Sequence, residues 1–270
     1  MNSAFAKESQ PQVKVAQNQG AQRIVALSPH SVEMLFAIGV GDRIVATTEH
    51  ADFPEQAKSI TRIGGYYGVQ IERIVELNPD LVVVWQGGNK LDDINRLIDL
   101  GFTVYDSSPK NLAQVADDLI ALGELTANQT QAQTAADTYL SELQSIKSAH
   151  QQKVPVKVFY QLWSSPLMTV AKGSWIQNII EVCQGENVFY DAATEYPQLS
   201  IENVLLTQAQ VIVQSQDEGN ILGIDWQAWP QLPAVANAHI YQLDADLIHR
   251  ASPRSIEGVK AMCEAIDKAR

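Results

Sequence analysis

The chain has 270 residues, 46% of them hydrophobic, enough to fill one large core or two modest ones. No apolar run approaches the ~20 residues that a membrane-spanning helix needs. Its 19 basic and 31 acidic side chains leave a formal charge of −12, which argues against nucleic acid or an anionic membrane surface as partner.

At the start of the chain, Ala4-Phe5-Ala6 fits the small-x-small pattern of a secretory cleavage site, without the basic and apolar regions that should precede it. It reads as the remnant of a signal peptide, the competing reading being a polar tail that runs to Ala21. Residues 23–27 predict a short strand that stops at Ser28-Pro29. Ser31 is placed to cap the following helix, with Val32, Leu35, Phe36 and Ile38 as its apolar face and Gly39 and Gly41 ending it. Residues 43–47 predict another strand, followed by a loop over residues 49–54.

Residues 71–84 then read as a short helix, a turn and a buried strand. The same pattern returns without gaps at residues 201–214, and each copy carries a glutamate second, Glu72 and Glu202. A unit occurring twice predicts two lobes of similar architecture, and two matched surface carboxylates predict a partner that touches both. Between the copies come a Gly87-Gly88-Asn89 turn, a helix over 91–100 and a strand over 103–105. Strands alternating with helices predict parallel βαβ units.

The character changes over residues 111–150, which hold no proline and one glycine, Gly123. Two helices are predicted, one to about residue 122 and one over 127–150, the second roughly 36 Å long and able to span two lobes. Alternation resumes at Pro155, with strands at 156–161 and 240–241 and helices at 175–183 and 256–269. The organisation is therefore a tail (1–21), an α/β lobe (22–110), a helical region (111–152) and a second α/β lobe (153–270). A single rigid helix between lobes permits little hinge closure. A ligand then belongs in a cleft at the carboxyl ends of the strands. Cys183 and Cys263, the only cysteines, either pair in an exported protein or lie as inert buried thiols.

Several segments carry a resemblance: Leu27-Ser28-Pro29, Asp52-x-Pro54, Glu72-Arg73-Ile74-Val75, Trp85-x-Gly87-Gly88-Asn89, Pro197-Gln198 and Arg250-Ala251-Ser252-Pro253-Arg254. With them the chain resembles the helix-linked periplasmic binding proteins that feed ABC importers, and among these the cobalamin-binding branch. The resemblance implies two Rossmann-like α/β lobes with parallel sheets, joined by one long helix around a ligand cleft. It places Cys183 and Cys263 at the family's disulfide. It puts the family's docking glutamates on Glu72 and Glu202, one for each subunit of a dimeric permease in the inner membrane. It further implies a periplasmic monomer that carries cobalamin or a related corrinoid as its transported ligand.

Carried over residue by residue, the family's cleft aromatics fall on Tyr66, Trp85 and Tyr196, with Met168 where the family has an aromatic. Asp246 and Arg250 lie in what reads as the last loop before the C-terminal helix, and Trp163 lies in another strand-end loop facing the same gap. Aromatic faces suit the apolar body of a corrin, and hydroxyls, backbone groups and a few charges suit its amide rim. If three aromatics each remove ~100 Å² from water, the gain is about 7 kcal/mol, short of the about 12 that nanomolar binding needs. Rim hydrogen bonds and a preformed cleft must supply the rest.

His50 departs from the family, standing where the cobalamin binder presents a tyrosine. A neutral imidazole there is a candidate axial ligand for cobalt. Competing expectations are a haem or ferric-siderophore binder of the same fold, for which only Arg62, Arg250 and Arg254 could serve as cleft cations. A metal-ion binder is disfavoured because His30, His50, His150, His239 and His249 show no ligand spacing. An enzyme is disfavoured because no nucleophile elbow, phosphate loop, zinc motif or dinucleotide fingerprint occurs.

Overall fold

The branched run Leu81–Val84 is buried at every position, as is Ile24–Ala26, and strands covered on both faces favour parallel pairing. These two strands sit side by side in the first lobe of the computed structural model, which describes residues 19–216 and 224–270. The cleavage-site reading at residues 4–6 lies outside the described residues.

In chain order the first lobe comprises β1 (Ile24–Ala26), α1 (Pro29–Ala37), β2 (Ile44–Thr47), a hairpin of β3 (Gly64–Gly65) and β4 (Gly68–Val69), α2 (Ile71–Leu77), β5 (Leu81–Val84), α3 (Leu91–Asp99) and β6 (Val104–Asp106). Two helices follow, α4 (Gln114–Leu125) and α5 (Gln129–His150). The second lobe holds β7 (Val156–Gln161), a hairpin of β8 (Trp163–Ser164) and β9 (Leu167–Met168), α6 (Trp175–Val182), β10 (Gly185–Asn187), α7 (Ile201–Thr207), β11 (Val211–Gln216), α8 (Pro233–Ala236), β12 (Ile240–Asp244), α9 (Ala245–His249) and α10 (Ser255–Asp267).

The main sheets run β2-β1-β5-β6 and β10-β7-β11-β12, all parallel. In each the first strand lies between the second and the third, so the two lobes share one topology. The sequence repeat occupies equivalent places in them. Helices α2 and α7 both stop at a left-handed residue 130 positions apart, Asn78 (φ 44°) and Gln208 (φ 55°), and lead into the central strands β5 and β11. Their starts differ. Ser200 and Asn203 form a reciprocal capping box on α7, whereas α2 has no side-chain cap.

One expected cap shifts by a turn position. Ser28, not Ser31, caps α1, accepting the Ser31 amide, because Pro29 takes the first helical turn with its φ already set. Likewise Asp246 lies in α9 rather than in a loop, and Arg250 ends that helix.

Helix α5 has 22 residues, about 33 Å, and fastens to both lobes. Its preceding Asn128 donates to the Ile38 carbonyl of the first lobe. Its body meets α10 of the second through Tyr139–Ser255 (3.2 Å) and Glu142–Lys260 (2.6 Å). The lobes are more than tethered, because one contiguous apolar core runs from Ile24 through α4 and α5 to Ile266. Cys183 and Cys263 are disulfide-bonded, joining the end of α6 to α10. The bond closes a loop of 80 residues, for which chain entropy gives about 4.5 kcal/mol as an upper figure.

Candidate functional site

A cavity of ≈ 670 Å³ opens between the lobes. Its walls are chain segments that leave the carboxyl ends of strands, the usual site in parallel sheets. The first lobe contributes Pro29 and His30 after β1, His50 and Asp52 after β2, and Trp85 after β5. The second contributes Gln216 at the end of β11, and Asp244, Asp246, His249 and Arg250 around α9.

The floor is a charged lattice across the lobes. One Arg250 nitrogen bonds Glu33 (3.0 Å) and Asp52 (2.8 Å). The other bonds the His50 carbonyl (3.0 Å) and Asp246 (2.7 Å). The second Glu33 oxygen accepts from Ser252 (2.5 Å) and Arg254 (3.1 Å), and the Arg254 guanidinium lies 3.7 Å from the Phe53 ring centre. Arg250 is 9% exposed and Glu33 3%, so these charges persist only because each is bonded. Burial works against the Arg250 charge, yet its bonds to Asp52 and Glu33 hold its pKa above the ordinary value. Asp52 is pulled below the carboxylate range by the same arginine, against its own desolvation. Asp246 goes the other way despite its short ion pair, because burial and the neighbouring Asp52 and Asp244 carboxylates outweigh Arg250.

The back wall is Trp85. Its amide donates to Asn89 (2.7 Å), whose own amide nitrogen donates to the Leu27 carbonyl. Beside it stands His30, buried, with Nε2 2.9 Å from the Ser107 carbonyl. Desolvation lowers the His30 pKa to about 4, so its imidazole is neutral at physiological pH.

The sequence-predicted ligand residues thus fall into two groups. His50, Trp85, Asp246 and Arg250 line the cavity. Tyr66, Trp163, Met168 and Tyr196 do not line it; they lie on or beside the β3–β4 and β8–β9 hairpins (the rims), which follow the carboxyl ends of β2 and β7. Tyr66 is 77% exposed at the tip of the β3–β4 hairpin, where Gly64 and Gly68 supply the positive φ angles. Trp163 is 56% exposed and pairs in register with Met168, and Tyr196 lies next to the 197–198 segment, which bonds the same hairpin. The exposed His50 has a left-handed backbone (φ 64°), uncommon for a residue with a side chain, with its carbonyl held by Arg250. Glu72 and Glu202 are exposed in the first turns of α2 and α7, and a hydrogen bond with Ser200 keeps the Glu202 carboxyl below its ordinary range.

Glu33 escapes a reading by residue type. Its one signal is an acid inside the otherwise apolar run Val32-Glu33-Met34-Leu35 of α1. Arg62, a candidate cleft cation, spends its guanidinium on the carbonyls of Ala51, Ala57 and Ile60. Among the described residues no cluster of three or more metal-ligating side chains occurs, and no helix is long and apolar enough to cross a membrane.

Two parallel-sheet lobes, a shared helical spine and a preformed cleft define a solute-binding protein. The periplasmic binding protein family matches residues 24–247, and the chain belongs to that family. It is 38% identical over 244 residues to the vitamin B12-binding protein of Vibrio cholerae, covering 90% of this chain and 88% of that one. The vitamin B12-binding protein of Vibrio vulnificus is 34% identical over 244 residues, covering 90% and 89%. The crystal structure of the periplasmic vitamin B12 binding protein BtuF of Vibrio cholerae superposes with a TM-score of 0.87 at 37% identity, covering 93% of this chain and 99% of that one. The periplasmic heme-binding protein RhuT from Roseiflexus sp. RS-1, with a TM-score of 0.82 at 22% identity, covers 93% and 100% and shares the fold.

Proposed function

We propose that this protein is a periplasmic carrier that captures cobalamin or a related corrinoid in the interlobe cleft and delivers it to an ABC importer. The observation that carries the choice of ligand is the charge state of the floor. Asp52, Asp244 and Asp246 line the cavity with Arg250 as its one arginine, Glu33 and Arg254 being bonded to each other outside the lining, and the bonds of Arg250 are all made within the protein. Haem propionates or an acidic siderophore would meet excess negative charge and no available arginine, a mismatch that costs affinity. A corrin edged with amides brings N–H donors that suit those carboxylate oxygens. The names of the Vibrio relatives point the same way.

In this reading Trp85 lies against the corrin body, and Tyr66, Trp163, Met168 and Tyr196 meet it from the two rims. His50 is the side chain offered to the cobalt, and Asp246 accepts from the amide edge. The protein acts as a monomer and performs no chemistry, so turnover of any cobalamin analogue would contradict it. Glu72 and Glu202 are the handles for the two permease subunits. Charge reversal at both should abolish stimulation of the transporter while cobalamin affinity stays within about twofold, because rim charges act on encounter rather than on the cleft.

Titration calorimetry with cobalamin, cobinamide and haemin tests the ligand. Cobalamin or cobinamide should bind below micromolar Kd and haemin at least tenfold more weakly; haemin as the tightest ligand, or no corrinoid tighter than micromolar, overturns the assignment. Cobinamide, which lacks its own lower base, also tests His50. A visible spectrum that His50→Ala leaves unchanged removes the axial contact.

A further inference from the structure

We infer that His30 is a positioning residue for Trp85, holding the indole across the Gly87-Gly88 turn so that it stands ready before any ligand arrives. The two rings stand edge to face, with centroids 5.5 Å apart and planes at 89°, an attractive geometry for aromatic pairs. The indole also lies against the glycine backbone. A Cβ added at Gly87 would overlap the indole nitrogen edge, and one added at Gly88 would overlap the six-membered ring. The indole is therefore in contact with both the glycine backbone and the imidazole, and its own backbone amide is tied to Asn89.

The imidazole can act as a fixed wall because it is itself anchored. His30 Nε2 donates to the Ser107 carbonyl, and the Ser107 hydroxyl donates to Asp118 of α4 (2.7 Å), which also accepts from Tyr105 (2.8 Å). This chain of bonds runs from the cleft wall to the helical spine. A neutral ring with both the anchor and the edge contact keeps one orientation, and a tryptophan fixed beforehand loses less freedom on binding. In this role His30 affects affinity through the ring it holds.

The inference rests on the reading that Trp85 meets the ligand, so its test has one arm that needs no ligand. In protein labelled with 5-fluorotryptophan, the Trp85 resonance, assigned from Trp85→Phe, should move or broaden in His30→Ala while the other four tryptophan resonances stay. An unmoved Trp85 resonance overturns the inference whatever the ligand proves to be. In the second arm, cobalamin affinity should fall about tenfold in His30→Ala and at least as far in Trp85→Ala, and the double variant should match Trp85→Ala alone. Multiplying losses would mean that His30 acts independently of Trp85, and the inference would fail. His30→Phe, which restores a ring beside the indole, should recover affinity to within about threefold of the wild type. Should His30→Ala not fold, His30→Phe and Gly88→Ala carry the spectroscopic arm: the resonance should stay near the wild-type position in the first and shift in the second, and the reverse pattern overturns the inference. Failure of cobalamin to bind the wild type would remove the functional reading and leave the fluorine result to decide His30.

Discussion

The floor and the rims of the cleft are built from opposite materials. On the floor, Arg250, Glu33, Asp52 and Arg254 are mutually bonded across the lobes, with the two innermost charges buried. At the rims, Tyr66, Trp163 and Tyr196 stand 46–77% exposed. A bonded and buried charge has little to offer a ligand and much to lose when a partner is removed. An exposed aromatic contributes little to folding and has its apolar face available to a ligand. Lying between the lobes therefore does not by itself make a residue a ligand contact: in the proposed reading the bonded charges of the floor fix the shape of the gap, and the rim aromatics join Trp85 in gripping the ligand.

The largest effect should come from breaking the floor. Arg250→Ala leaves Glu33 buried with only Arg254 and Ser252 and Asp52 without its cation, and should destabilise the protein by about 3–5 kcal/mol in denaturant unfolding. A loss below 1 kcal/mol would erase the distinction between floor and rim. Next in size, Trp163→Ala should weaken cobalamin binding by roughly tenfold to thirtyfold, as truncated aromatic anchors do, while stability stays within about 0.5 kcal/mol. A stability loss larger than the binding loss would move Trp163 to the structural side.

The smallest effect divides the floor itself. Asp52 has its folded pKa lowered, so its contribution to stability is present above the ordinary carboxylate pKa and is lost as pH falls through the folded value. Asp246 has its folded pKa raised, so its charge costs stability at neutral pH, and that cost is relieved on acidification. Both side chains are over two-fifths exposed, which limits each effect to within about 1 kcal/mol. Unfolding midpoints over pH 3–7 should show Asp52→Asn less stable than wild type at pH 7 with a flatter acid limb, and Asp246→Asn unchanged or slightly more stable. Equal losses in both would contradict the asymmetry.

Most of the architecture was legible in the sequence because it follows from periodicity and from local punctuation. The repeat at 71–84 and 201–214 pointed to twin lobes, and it sits at matching positions of two sheets with one topology. The long glycine-poor stretch became α4 and α5. Local chemistry misled where two signals competed, as when Pro29 moved the cap from Ser31 to Ser28. The floor was far less legible, because Glu33 and Arg250 are 217 positions apart and nothing local marks a bond between them. The same holds for His30. A histidine read alone shows no ligand spacing, and only the fold brings it beside Trp85 and Ser107.

Hydrogen exchange with and without cobalamin tests the division of floor from rim most directly. On binding, residues 64–69, 163–168 and 196–198 should gain protection from both sides of the gap. Amides of α1 next to Glu33, already held in the unliganded protein, should change little. Protection confined to α1 and α9 with the hairpins unaltered, or protection on one lobe alone, would contradict the account.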